Sequence, residues 1–136
     1  MVKRNKIRTI LIDDSAFMRR LISHIISADE SIEVVGTAGN GYEGFNMVSS
    51  LKPDVVITDM VMPDFDGLYV VNSVMAKNPL PIILLSSLDK ADSRIFDALQ
   101  HGAFEFIDKP TYLDSDRIRE YPLLNLIKEA SRTDIS

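Results

Sequence analysis

Cysteine is absent from this 136-residue chain, which excludes disulfide staples, thiolate metal sites and cysteine nucleophiles. No Gly-x-Ser-x-Gly elbow occurs either, so hydrolase chemistry is not expected of this chain. No apolar run approaches the ~20 residues needed to span a bilayer, and nothing resembles a secretion signal. A cytoplasmic protein without a membrane partner is therefore expected. Basic charge is in short supply, with a net charge of −5, which argues against a nucleic-acid-binding surface. Lys3, Arg4, Lys6 and Arg8 do cluster, and they read as a solvated lead-in rather than a nucleic-acid arm. Only two histidines are present, His24 and His101, and neither has a second imidazole or a carboxylate at ligand spacing. Both read as structural. Repeats and low-complexity segments are absent.

What is present is a set of acidic strand ends. Val55 to Thr58 is a short apolar, β-branched run bounded by Pro53-Asp54, which reads as a buried strand ending at Asp59. The following Met62-Pro63-Asp64-Phe65-Asp66-Gly67 is turn chemistry, with Pro63 barring a further strand and Gly67 tolerating positive φ. A second apolar strand, Ile7 to Ile12, ends in Asp13-Asp14. Three carboxylates at two strand ends repel one another unless a hard divalent cation sits between them. Mg²⁺ suits such a place, because it takes few carboxylates and keeps water and phosphate oxygens for the rest of its octahedron. A carboxylate beside Mg²⁺ can also act as a nucleophile and form an aspartyl-phosphate.

The remaining chain alternates strand and helix. Ser15 is an N-cap for a helix to about Ala28 with Met18, Leu21, Ile22 and Ile25 as its apolar stripe. Glu33 to Ala38 reads as a strand, and Gly41 to Leu51 as a helix burying Phe45 and Val48. Gly67 to Lys77 is a helix ended by Asn78-Pro79. Ile82 to Ser86 is a strand, Asp92 to His101 a helix with Gly102 as C-cap, and Phe104 to Ile107 a strand stopped by Lys109-Pro110. Tyr112 to Tyr121 reads as a loop or ragged helical lead-in, and Pro122 fits the first turn of a last helix to about Ser131. Such alternation means an α/β domain, a doubly wound five-stranded parallel sheet with five helices. At this length one domain spanning residues 1–136, with a core over about 7–131, is expected.

Gly39-Asn40-Gly41-Tyr42-Glu43-Gly44 matches the dinucleotide fingerprint, and Asp59 falls where a ribose-binding acid would. That rival reading leaves Asp13, Asp14 and Lys109 without a job. A glycine-rich turn and helix start account for the same residues.

The set Asp13-Asp14, Asp59, Ser86 and Lys109-Pro110 resembles the receiver domain of two-component response regulators over about residues 7–131. The resemblance implies a flavodoxin-like sheet of order 2-1-3-4-5. It implies Asp59 as phosphoacceptor, charged by a histidine kinase with Mg²⁺ as cofactor. It further implies Asp14, Asp59 and the backbone carbonyl of Val61 as direct metal ligands, with Asp13 acting through water. Lys109 would contact a phosphoryl oxygen, Ser86 would move toward the phosphate, and a cis bond before Pro110 would aim the lysine. Phe106 stands where the family commonly has a switching tyrosine, and without the hydroxyl an outward rotamer gains no hydrogen bond.

The segments Asp13 to Arg20, Ser86-Ser87-Leu88 and Gly102 to Phe106 look further like the regulatory domain of chemotaxis protein-glutamate methylesterases. In that family a linker and a serine hydrolase domain follow the receiver. The expected partners are a chemotaxis-type histidine kinase and either a covalently linked methylesterase domain or a separate output protein. The chain itself is not expected to be an enzyme beyond phosphorylation of Asp59. Val61 and Leu88 are apolar neighbours of the pocket that would restrict attacking water. A purely constitutive interaction module, using helix-four residues such as Arg94 and Gln100, is the reading from another class.

Overall fold

The computed structural model describes residues 6–87, 94–110 and 120–133. Within them ten elements alternate: β1 Ile7–Ile12, α1 Ala16–Ser27, β2 Ile32–Ala38, α2 Gly41–Leu51, β3 Val55–Asp59, α3 Gly67–Lys77, β4 Ile82–Ser86, α4 Arg94–Gln100, β5 Glu105–Asp108 and α5 Leu123–Ser131. The strands form one parallel sheet in the order β2-β1-β3-β4-β5. Strand β2 starts one residue earlier than expected, and β5 is shifted by one residue at both ends. Leu88, the start of the fourth helix at Asp92, and most of the Tyr112 to Tyr121 lead-in lie outside the described residues.

The strands form where β-branched and apolar residues run together, and their period of two divides the core. Ile10, Ile12, Val56, Ile82 and Leu84 face α2, α3 and α4 through Val48, Val70, Val71, Val74, Ile95 and Ala98. Leu11, Val55, Ile57, Ile83 and Leu85 face α1 and α5 through Ile22, Ile25, Ile26, Leu123 and Ile127. All five residues of β3 and of β4 are buried. Each such Val, Ile or Leu contributes about 1.5–3 kcal/mol by leaving water, so the two central strands carry a large share of the burial energy.

Side chains cap the helices that start at the carboxyl edge. Ser15, Asn40 and Asp66 accept from the amides of Met18, Glu43 and Tyr69 respectively. Gly102, at φ 120°, supplies the turn after α4 that an L-residue resists. Of the basic residues near the N-terminus, Arg8, inside β1, proves structural. Its guanidinium donates to the carbonyls of Leu51 and Lys52 at 2.7 and 2.9 Å, capping the C-terminus of α2 where a cation complements the helix dipole.

The glycines of the dinucleotide-like run are explained by packing. A Cβ on Gly41 would lie 2.6 Å from the Phe65 carbonyl oxygen, and one on Gly44 would collide with Ile12. The Gly41 amide already donates to Phe65 at 2.9 Å, so the first amide of α2 is in use. Moreover β2 is one of the sheet's two edge strands, away from the crevice where the strand order reverses.

Candidate functional site

Strand register assembles the site. Ile12 pairs with Thr58, so Asp13 and Asp59, each one residue further on, emerge side by side at the carboxyl edge. On the other flank Asp59 pairs with Leu85 and Ser86 with Asp108, which brings Ser86 and Lys109 to the same level. The Lys109 amide donates to the Ser86 carbonyl at 2.8 Å and fixes the height of the lysine.

Carboxylate oxygens of Asp13, Asp14 and Asp59 lie within 4.8 Å of one another. Asp13 and Asp59 are buried, while Asp14 is exposed at the mouth. The Lys109 ammonium sits 2.9 Å from Asp59 Oδ2 and 3.4 Å from Asp13 Oδ2. It approaches both as a charge, for no directed hydrogen bond reaches either buried oxygen. The other oxygens are held by backbone: Asp13 Oδ1 accepts from Ser15 at 2.9 Å, and Asp59 Oδ1 accepts from Val61 at 3.2 Å.

Burial dominates the electrostatics. It pushes the Asp59 carboxyl up to about 6, with Asp13 adding to the rise and Lys109 and the Val61 amide opposing it. Asp13 is raised as well, by burial first and then by Asp14, against the pull of Ser15 and Lys109. Burial alone would depress the Lys109 ammonium, but its contacts with Asp59 and Asp13 outweigh that and raise it. Two buried acids and one cation leave uncompensated negative charge, with exposed Asp14 beside it. The two undirected buried oxygens and this all-oxygen donor set fit a hard divalent cation such as Mg²⁺.

Thus Asp13, Asp14, Asp59 and Lys109 meet, and Ser86, buried at 6% exposure, stands at the same edge. Val61, two residues after Asp59, and Phe106 on β5 are both exposed, at 39% and 40%. Two expectations are corrected. No cis peptide bond occurs among the described residues, so the bond before Pro110 is trans; Lys109 is aimed by its amide bond to Ser86 instead. Gly67 does not have positive φ; that conformation falls on Asp64, at 66°. Gly67 is required for close approach, since a Cβ there would come within 2.8 Å of both the Asp59 carbonyl oxygen and Met60 Cα.

Three contributors escaped sequence reasoning. Arg19 donates to the Asp13 carbonyl at 2.6 Å. The Tyr121 hydroxyl donates to the Asp108 carbonyl at 2.6 Å, tying the chain before α5 to the residue preceding Lys109. Burial and then Asp108 raise that phenol well above its ordinary range, so it keeps its proton. Arg94, with its side chain 38% exposed, is paired with Asp66 at 2.6 Å. Spacing alone signalled none of them, because two bond to backbone carbonyls and the third to a helix cap.

The family model of the response regulator receiver domain matches residues 9–121. This chain belongs to that family. A protein-glutamate methylesterase/protein-glutamine glutaminase of Oceanobacillus iheyensis is 47% identical over 107 residues, covering 78% of this chain and 30% of that protein. Its counterpart in Methanococcus maripaludis is 38% identical, over 96% of this chain and 37% of that protein. The receiver therefore spans about a third of the length of the curated relatives it matches. The response regulator domain of Thermotoga maritima CheB superposes with a TM-score of 0.83 at 36% identity, covering 96% of this chain and 99% of that one. A CheX-CheY-BeF3-Mg+2 complex from Borrelia burgdorferi matches with a TM-score of 0.73 at 26% identity, covering 90% of each chain. The chain is thus a two-component receiver domain homologous to the regulatory domain of CheB, and its aspartate cluster fits a phosphoacceptor site. No described helix is long and apolar enough to cross a membrane.

Proposed function

We propose that Asp59 accepts a phosphoryl group from the phosphohistidine of a chemotaxis-type kinase. The observation that carries this reading is one buried carboxylate set among two others and faced by a lysine ammonium at 2.9 Å. In the transfer, the N–P bond of the donor breaks as an Asp59 oxygen forms a bond to phosphorus. The imidazole leaves and takes its proton from solvent. Asp14, Asp59 and the Val61 carbonyl would hold Mg²⁺ directly, and Asp13 through water. Bound there, the ion supplies charge neutralisation for the incoming phosphoryl oxygens.

This chain's own groups do the rest. Asp59 must be ionised to attack, and Lys109, a compact cation on a flexible stem, follows the charge from carboxylate to phosphoryl oxygen. Ser86 reaches the acyl phosphate by a rotamer change and donates a hydrogen bond. The loops after β3 and β4 then shift, altering the surface of α4, β5 and α5, which is a population shift between two packings. Phe106 couples to that shift through packing, having no hydroxyl to offer.

Residues 1–136 form a single regulatory domain with its core at about 7–131, and this domain restrains a covalently linked methylesterase domain until phosphorylation. The share of the curated relatives that it spans supports this output. A stand-alone receiver recruiting a separate partner is the second reading. Acetyl phosphate with Mg²⁺ should add one phosphoryl group, detected by intact mass, and Asp59→Asn should take up none. A label persisting in Asp59→Asn would move the site elsewhere. Lys109→Ala should retain Mg²⁺ binding yet lose the conformational response to beryllofluoride, and an undiminished response would refute its role.

A further inference from the structure

Each polar atom of Asp13 is either hydrogen-bonded or faced by a charge. Its amide donates to the Ala38 carbonyl at 3.0 Å, its Oδ1 accepts from Ser15 at 2.9 Å, and its Oδ2 faces Lys109. The remaining atom, the backbone carbonyl, belongs to the peptide that leads into Asp14. Arg19, one turn into α1, donates to it at 2.6 Å. The same guanidinium nitrogen would stand 3.6 Å from a Cβ on Gly39, so it also packs against the turn between β2 and α2. Arg20, the next residue, is exposed and makes no such bond.

We propose that Arg19 is a positioning residue for the metal cavity: it locks the Asp13–Asp14 peptide so that the exposed Asp14 carboxylate stays aimed at Asp13 and Asp59. This inference rests on the metal-binding reading given above. Ala38 and Ser15 hold the amide and the side chain of Asp13 but neither end of the planar Asp13–Asp14 peptide, so the bond from Arg19 to its carbonyl is the contact that orients that plane. Without it the turn can rotate about the bonds flanking Asp14, and a ligand that must be ordered on binding costs affinity. Groups that orient metal ligands in this way change affinity by roughly 10–100-fold when removed.

Charge makes the test decisive, because electrostatics and positioning predict opposite signs. Removing a positive charge near the cavity should, by Coulomb's law alone, tighten Mg²⁺ binding. Positioning requires that binding weaken. Mg²⁺ affinity is measured by calorimetry on the phosphate-free protein, for wild type, Arg19→Met, Arg19→Lys and Arg20→Met. Methionine keeps an apolar stem and drops both donor and charge. The expected result is a roughly tenfold weaker Kd for Arg19→Met, partial recovery in Arg19→Lys, and a Kd no weaker than wild type for Arg20→Met. If Arg19→Met binds Mg²⁺ as tightly as Arg20→Met, the inference is overturned. Should Arg19→Met fail to fold, Arg19→Lys decides: a point charge cannot reproduce the planar contact, and an unchanged Kd would overturn it equally. Wild type failing to bind Mg²⁺ would instead overturn the metal reading itself, and this inference with it.

Discussion

Asp59 sits in a folded environment that favours its protonated form, and the consequence is measurable. Its carboxyl is raised from 3.8 to about 6, so the folded state binds a proton more tightly than the unfolded one. That contribution to stability is full below about 3.8 and is lost as the pH rises through about 6. Without metal, Asp59→Asn should therefore be more stable than wild type at pH 7.5, by about 1–3 kcal/mol. The difference should shrink toward pH 4, as read from urea denaturation curves. Equal stability at both pH values would show that the pocket does not strain its acid. A second expectation concerns Gly67. A methyl group there meets backbone at 2.8 Å, where no flexible side chain can yield. Gly67→Ala should cost about 1–3 kcal/mol and should displace Asp59, slowing its phosphorylation by acetyl phosphate.

Among the elements, α3 and α4 are joined at their starts. Asp66 uses one oxygen to cap α3 at the Tyr69 amide and the other to bind Arg94 at 2.6 Å. Replacing it with alanine removes a cap, usually about 1 kcal/mol, and a half-exposed ion pair, about 0–1 kcal/mol. Asp66→Ala should thus lose about 1–2 kcal/mol, read from urea denaturation curves. Unchanged stability would mean that neither the cap nor the pair contributes. The strands were legible from local sequence because continuous β-branched runs allow few alternatives. The glycine-rich start of α2 misleads because a dinucleotide turn and a close helix contact impose the same demand, a missing Cβ. Only packing against Ile12 and Phe65 separates them.

For the whole molecule, the acidic cavity is a liability that a bound cation would convert into stability. A ligand that binds only the folded state stabilises by RT ln(1 + [L]/Kd), about 2.7 kcal/mol at a hundredfold excess over Kd. Mg²⁺ at that excess should raise the stability of wild type by this amount, and a chelator should reverse it. Asp14→Ala should respond far less. An equal response would remove Asp14 from the ligand set. The pH dependence should change as well: with Mg²⁺ present the carboxylates are favoured ionised, so the loss of stability above about 6 disappears.

Sequence alone determined the alternation of strand and helix, the acids at two strand ends, and the lysine and serine at two more. Those follow from local chemistry: β-branched runs make strands, and turn residues mark where each one stops. Sheet order is also constrained once five strands must be joined by right-handed crossovers. Tertiary structure decided what lies between the strand ends. Arg8 on α2, Arg19 on Asp13, Tyr121 on Asp108 and Arg94 on Asp66 are contacts between a side chain and a distant or differently oriented group. A carbonyl carries no residue identity, so no spacing rule points to it. The raised pKa of Asp59 is likewise a property of burial, and burial exists only after the chain has closed over its own strand ends.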